Sequence, residues 1–154
     1  MDKFELQRAI KASMQTEKDA MDYYRHGADR MAEDKARATF ELLAREEYQH
    51  AESFYRIYTG QEVPSFEAFM KTPPDTGSSW WKTLQQLLIQ DFDERKALEL
   101  AIEQEEALEK ELRAMAAKIS DPEVARVYLA NASSTHHHLE VIEEEYRAMF
   151  GMGG

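Results

Sequence analysis

The 154-residue chain contains no cysteine. This absence excludes disulfides, thiolate metal sites, iron–sulfur clusters and cysteine nucleophiles, so any metal must be held by oxygen and nitrogen atoms. The chain also lacks an apolar run of the roughly 18 residues that a membrane span requires. The acidic residues within positions 1–10 do not fit a secretory signal. We therefore expect a cytoplasmic protein with no membrane partner.

Basic residues are scarce, with 19 lysines and arginines against 30 aspartates and glutamates and a formal net charge of −11. Such a field repels phosphate backbones and attracts cations, so we expect no nucleic-acid partner and regard metal ions as ligands compatible with the charge. A solvated acidic helix surface explains the same excess without any ligand. Hydrophobic residues make up 43% of the chain, which is enough for one core, and we predict a single domain over residues 1–154.

Proline and glycine are few, at four and six residues, and most of them lie in the middle of the chain or at its end. Elsewhere apolar residues recur every three, four or seven positions, which predicts long amphipathic helices. We expect helical hairpins over residues 3–58 and 91–150, with Asp91 capping the third long helix and Asp121 the fourth. The crossover, residues 59–90, is far longer than a turn and is predicted to contain a short helix.

The two halves of the chain superpose at one constant offset of 88 residues, without a gap. The pairs that this offset relates include Glu17 with Glu105, Phe40 with Tyr128, and His50 with His138. Each half is a predicted helical hairpin. Two such hairpins joined by the long crossover predict an all-α fold, a four-helix bundle with approximate two-fold symmetry.

Polar residues interrupt the apolar stripe of each long helix. These residues are Glu17, Glu47, His50, Glu105 and His138. An ionised carboxylate in an apolar interior costs on the order of several kcal/mol, and converging carboxylates also repel one another. A bound cation would remove both problems. Glu47 and His50, three residues apart, share one helical face, which is the Glu-x-x-His spacing of carboxylate-bridged di-iron bundles.

The chain resembles the rubrerythrin branch of the ferritin-like superfamily. The resemblance rests on Glu17 with Tyr24 seven residues later, on residues 44–54 (AREEYQHAESF), on the long crossover, and on residues 97–105 (ALELAIEQE). It implies a ferritin-like four-helix bundle, two bound iron ions and a homodimer. Manganese and zinc are alternative metals, because the ligand types suit them as well.

The resemblance also implies a role for each polar core residue. Glu17 and Glu105 would be terminal carboxylate ligands, Glu47 a bridging carboxylate, and His50 and His138 one imidazole ligand for each metal. Tyr24 would either donate a hydrogen bond to a ligating carboxylate or pack as an ordinary core aromatic residue.

The chain departs from the family pattern at three points. Thr135 stands where the family has its second bridging glutamate, and Leu108 where many members carry a further acid. A neutral hydroxyl cannot bridge two cations as a carboxylate does, so two ions, one ion and none all stay open. The absence of cysteine excludes the rubredoxin-like module that many members carry, which implies an external electron donor.

Two functions of different classes follow. The resemblance implies a non-haem di-metal oxidoreductase that reduces peroxide or dioxygen, with oxidation of ferrous iron as a neighbouring activity. The alternative is a degenerate ferritin-like module that binds metal or a partner without redox turnover, so the sequence leaves open whether the protein is an enzyme. His136 and His137 are expected to be solvated, and the role of Trp80 and Trp81 is left open.

Overall fold

The computed structural model describes residues 1–89 and 91–151, and within these residues every regular element is an α-helix. In chain order the helices are α1 (Lys3–Ala28), α2 (Asp34–Arg56), α3 (Phe66–Met70), α4 (Ser79–Ile89), α5 (Glu94–Lys118) and α6 (Pro122–Phe150). The predicted all-α fold of two helical hairpins joined by a long crossover is confirmed. Within the described part of the chain, no helix has both the length and the apolar character that crossing a bilayer requires.

Helices α1 and α2 form the first hairpin, and they approach each other closely near their connecting turn. A Cβ atom at Gly27 would lie 2.9 Å from the Phe40 ring, so only glycine permits this spacing without a shift of the aromatic side chain. Glu33 caps the start of α2, since its carboxylate accepts a hydrogen bond from the backbone N–H of Ala36. These local features join the two helices into one antiparallel unit.

Helices α5 and α6 form the second hairpin. Asp121 caps α6 and Pro122 occupies its first turn, as predicted. The prediction for α5 is wrong: Asp93, not Asp91, caps this helix and accepts a hydrogen bond from Lys96 N at 3.2 Å. The carboxylate of Glu94 accepts hydrogen bonds from the backbone N–H groups of Ala32 and Glu33, in the turn between α1 and α2.

The crossover contains two helices, where the sequence predicted one. Trp80 on α4 is buried, with its ring centroid 5.2 Å from that of Tyr23 and 5.6 Å from that of Tyr24. The neighbouring Trp81 is half-buried and meets the His26 ring edge-on. Since α4 packs against both α1 and α5, the crossover covers the bundle and joins the two hairpins.

Candidate metal centre

The five polar residues singled out in the sequence all lie in the interior, one or two from each long helix. Exposure falls to 0% for all three carboxylates, Glu17, Glu47 and Glu105, and is 7% for His50 and 1% for His138. They form two groups, Glu17–Glu47–His50 and Glu47–Glu105–His138, in which the ligand atoms lie within 4.8 Å of one another. Each group has enough ligand atoms to hold a metal ion, and Glu47 belongs to both.

Glu47 lies between the two histidines, with one carboxylate oxygen toward each. Its Oε2 atom is 3.5 Å from His50 Nδ1, and its Oε1 atom is 3.1 Å from His138 Nδ1. Glu17 Oε2 lies 3.4 Å from His50 Nδ1, and Glu105 Oε1 lies 3.8 Å from His138 Nδ1. The two imidazole rings are nearly parallel, 4° apart in plane and 5.0 Å between centroids. Glu47 could therefore offer one carboxylate oxygen to each group.

The outward-facing nitrogen of each histidine is held by the opposite hairpin. His50 Nε2 lies 2.8 Å from Ser134 Oγ on α6, and His138 Nε2 lies 2.8 Å from Glu46 Oε2 on α2. Both Nδ1 atoms therefore point inward, toward the carboxylates. The sequence reasoning missed Ser134 and Glu46 as partners, although the 88-residue offset pairs these two positions with each other.

Tyr24 supports the second group. Its hydroxyl donates a 2.7 Å hydrogen bond to Glu105 Oε1, and the side chain is fully buried. Of the two roles that the sequence left open, the hydrogen bond to a candidate ligand is present, and the ring packs in the core as well. Such a bond fixes the orientation of a ligating carboxylate.

Several candidate ligand atoms are buried without any hydrogen-bond partner. They are both carboxylate oxygens of Glu17, Glu47 Oε2, Glu105 Oε2 and His50 Nδ1. Buried polar atoms are nearly always paired in folded proteins, since leaving one unpaired is unfavourable. Oxygen and imidazole nitrogen are suitable donors for iron, manganese and zinc ions. The residues present thus fit metal ions of these kinds.

The buried carboxylates strongly shift one another's pKa values. Burial, followed by the negative charge of Glu47, raises the pKa of Glu17 well above its usual value and that of Glu105 to about 7. Burial acts in the same direction on Glu47, but hydrogen bonds and the nearby histidines outweigh it and hold the pKa of Glu47 well below the usual value. Glu47 is therefore the carboxylate that stays ionised in the middle of the cluster.

The pKa values of the two histidines are shifted in the opposite direction to those of ordinary buried imidazoles. Burial alone would lower their pKa values, yet the neighbouring carboxylates raise the pKa of His50 to about 10 and that of His138 to about 11. Protons on these groups balance the charge of the carboxylates. A metal ion that binds here must displace those protons, so binding is coupled to proton release.

A family model described as Rubrerythrin matches residues 5–87, which is more than half of the chain. The chain belongs to the rubrerythrin family. The matched residues contain Glu17, Glu47 and His50 together with most of the crossover, whereas Glu105 and His138 lie beyond them. No curated protein and no solved structure matches the chain.

In this rubrerythrin-family chain the candidate site also contains a neutral polar residue, Thr135. Thr135 is fully buried, and its hydroxyl donates to the carbonyl of Asn131 at 2.8 Å, one turn back on its own helix. It therefore adds no charge to either group. His136 and His137 are exposed, and His136 Nδ1 lies 2.9 Å from Glu109 Oε1 at the surface.

A cavity of about 330 Å³ lies between α1, α5 and α6 and ends against Glu17. Most of its wall is apolar, with small residues of α1 such as Ala9 and Ala12 facing Leu112 of α5. Its polar lining consists of Ser13 and Tyr128, whose hydroxyl oxygens lie 2.7 Å apart, together with Thr16, Glu17, Glu111 and Lys118. This cavity brings the outside of the bundle close to the first candidate group.

Proposed function

We propose that this member of the rubrerythrin family is a non-haem di-iron oxidoreductase that reduces hydrogen peroxide or dioxygen. One observation carries the proposal: two buried ligand groups share Glu47. Glu17 and His50 would hold one ion, Glu105 and His138 the other, and Glu47 would contact both. Family membership favours iron over manganese and zinc.

When bound, two ferrous ions supply two electrons, with which a peroxide molecule and two protons yield two molecules of water. The chain's own contribution is positional. Tyr24 holds Glu105 through its hydroxyl, Ser134 and Glu46 hold the two histidines, and the buried apolar side chains around them exclude water. The 330 Å³ cavity that ends at Glu17 is the proposed approach for the oxidant.

The proposal includes partners and a location. An external electron donor returns the iron to the ferrous state, since the chain has no cysteine with which to form an iron–sulfur or rubredoxin-like centre. By likeness to the family, we further propose a homodimer in the cytoplasm. Oxidation of ferrous iron itself, with dioxygen or peroxide as the acceptor, is the closely related activity.

A second candidate function is a metal-binding or partner-binding module without redox turnover. Thr135 favours it, because its hydroxyl is bonded to its own helix and supplies no bridging carboxylate. Under this alternative the centre would hold one ion or none, or would hold two ions that do not react with peroxide.

The experiment uses tag-free protein loaded with ferrous iron under anaerobic conditions and then desalted. We expect elemental mass spectrometry to find two iron ions per chain, and stopped-flow absorbance to show both oxidised by one equivalent of hydrogen peroxide. One iron or none would overturn the di-iron assignment. Two irons that react with neither peroxide nor dioxygen would leave the binding module as the function.

A further inference from the structure

We propose that Glu46 supplies the negative charge that α6 lacks at Thr135, and that it does so by hydrogen bonding to His138 and positioning that imidazole for metal binding. This inference rests on the di-metal centre proposed above. Glu46 is a positioning residue in this account, because it acts through His138.

The internal repeat shows why Glu46 stands out. At the constant offset of 88 residues, Glu46 pairs with Ser134 and Glu47 pairs with Thr135. Each member of the first pair bonds the histidine of the opposite half, at 2.8 Å in both cases. The scaffold is thus preserved on both sides, whereas the chemistry differs: α2 presents two carboxylates at these positions, and α6 presents two hydroxyls.

The charges of the site favour the same assignment. Glu17, Glu47 and Glu105 carry three negative charges once metal ions have displaced their protons, whereas two divalent ions carry four positive charges. The carboxylate of Glu46 is hydrogen bonded to Nε2, the outer nitrogen, of the candidate ligand His138. Its charge brings the total to four, although Thr135 contributes none.

The position of Glu46 suits this role. Its side chain is 32% exposed, so the carboxylate is partly hydrated while one oxygen reaches His138 Nε2. A carboxylate that accepts a hydrogen bond from one imidazole nitrogen fixes the ring and makes the other nitrogen a stronger metal ligand. That other nitrogen, His138 Nδ1, faces Glu47 and Glu105. Ser134 can orient His50 in the same manner, but it brings no charge.

Cobalt(II) provides a test that does not depend on turnover. We would titrate the metal-free protein anaerobically and follow binding by calorimetry and by the visible bands of cobalt. In Glu46→Gln, which preserves shape but removes the charge, we expect binding of one of the two equivalents to weaken by about 10- to 100-fold. Glu52→Gln is the matched control, because it removes a charge from the same helix at a residue whose carboxylate pairs with Arg56, and its affinity should stay close to that of the unchanged protein.

A double variant separates charge from simple packing. Adding Thr135→Glu to Glu46→Gln places a carboxylate on α6 and restores the total charge, so we expect most of the lost affinity to return. Because Thr135→Glu adds a ligand by itself, the comparison is with Thr135→Glu alone: a purely structural role predicts that Glu46→Gln lowers the affinity as much in that background as in the unchanged protein. Failure of this rescue would overturn the charge argument.

The failures of the two proposals are distinguishable. If the unchanged protein binds no cobalt tightly, the di-metal centre itself is wrong. If the unchanged protein binds two equivalents and Glu46→Gln binds them equally well, only the role of Glu46 is overturned. Circular dichroism on each variant would establish that the helices are intact.

Discussion

The two hairpins have the same plan but contribute unequally to the centre between them. In the first, α2 carries Glu46 and Glu47 ahead of His50; in the second, α6 carries Ser134 ahead of His138, with Thr135 in the place of the acid. Each histidine nevertheless makes a hydrogen bond with a side chain of the other hairpin. The two histidines thus keep equivalent hydrogen bonds, whereas the carboxylates at these paired positions are both on α2. The family model also matches the first hairpin and most of the crossover, and not the second hairpin.

The largest effect is expected from Glu47→Gln, which breaks the comparison by removing the carboxylate shared by both halves. Because this change removes a proposed ligand, affinity for both metal equivalents should fall by more than the roughly 10- to 100-fold typical of changes around a ligand. Elemental analysis after desalting measures the loss. Thr135→Val, at the position related by the repeat, is the control and should retain metal, since the threonine hydroxyl bonds only its own helix. Equal losses in the two variants would contradict the assignment of Glu47.

A pH dependence is expected for the metal-free protein. Groups whose pKa values are raised by folding stabilise the protein at low pH and lose that contribution as pH rises. Glu105 does so between its ordinary value of 4.5 and about 7, and the histidines between 6.5 and about 10 or 11. The melting temperature of chelator-treated protein should therefore fall as pH rises from mildly acidic to alkaline.

Loading with metal should reverse this trend, because higher pH favours displacement of the protons by the ions. Thermal melts across the pH series, with and without manganese(II), measure both slopes. Parallel slopes in the two series would show that the buried cluster does not exchange protons for metal.

The cavity beside Glu17 offers a smaller, kinetic effect. Ala12 lines it and is exposed, so Ala12→Trp should obstruct the entrance without disturbing the core. Peroxide should then oxidise the ferrous protein severalfold more slowly at unchanged iron content, as measured by stopped-flow absorbance. Ala130→Trp, an exposed position on α6 outside the cavity lining, is the control. Equal rates in both variants would show that the oxidant arrives by another route.

The smallest effect should come from Ser134→Ala. This change removes a neutral hydrogen bond from His50 Nε2, and such a bond is worth about 1 kcal/mol, or about fivefold in an equilibrium constant. Cobalt titration should show one equivalent weakened by that factor, well below the effect of Glu46→Gln. A larger loss for Ser134→Ala than for Glu46→Gln would reverse the proposed order of the two hairpins.

Much of the architecture was predictable from periodicity, since the long helices and the interior placement of Glu17, Glu47 and Glu105 follow from the apolar stripes. The short α3 was not, because its five residues are too few to show a period. Asp91 and Asp93 both offer a capping carboxylate, and only the folded chain shows that Asp93 is used. Whether any of the candidate residues binds a metal stays a prediction.

Glu46 was missed for a different physical reason. It is adjacent to Glu47 on α2, so a helical-face argument places its side chain about 100° away from the core stripe. Its contact with His138 depends on how α2 packs against α6, and that packing is not encoded in the spacing of either helix alone. The repeat could have raised the question, because it pairs the position with Ser134, but it could not have supplied the distance.

The burial of Trp80 makes the interior of the bundle accessible to fluorescence. Its indole packs against Tyr24, and the Tyr24 hydroxyl bonds Glu105. Emission from an indole this close to the centre is expected to respond when a paramagnetic ion arrives, whereas the half-buried Trp81 supplies a second, more solvent-sensitive signal. Since these are the two tryptophans of the chain, metal uptake can be followed by the native emission of the protein, with neither a dye nor an added label.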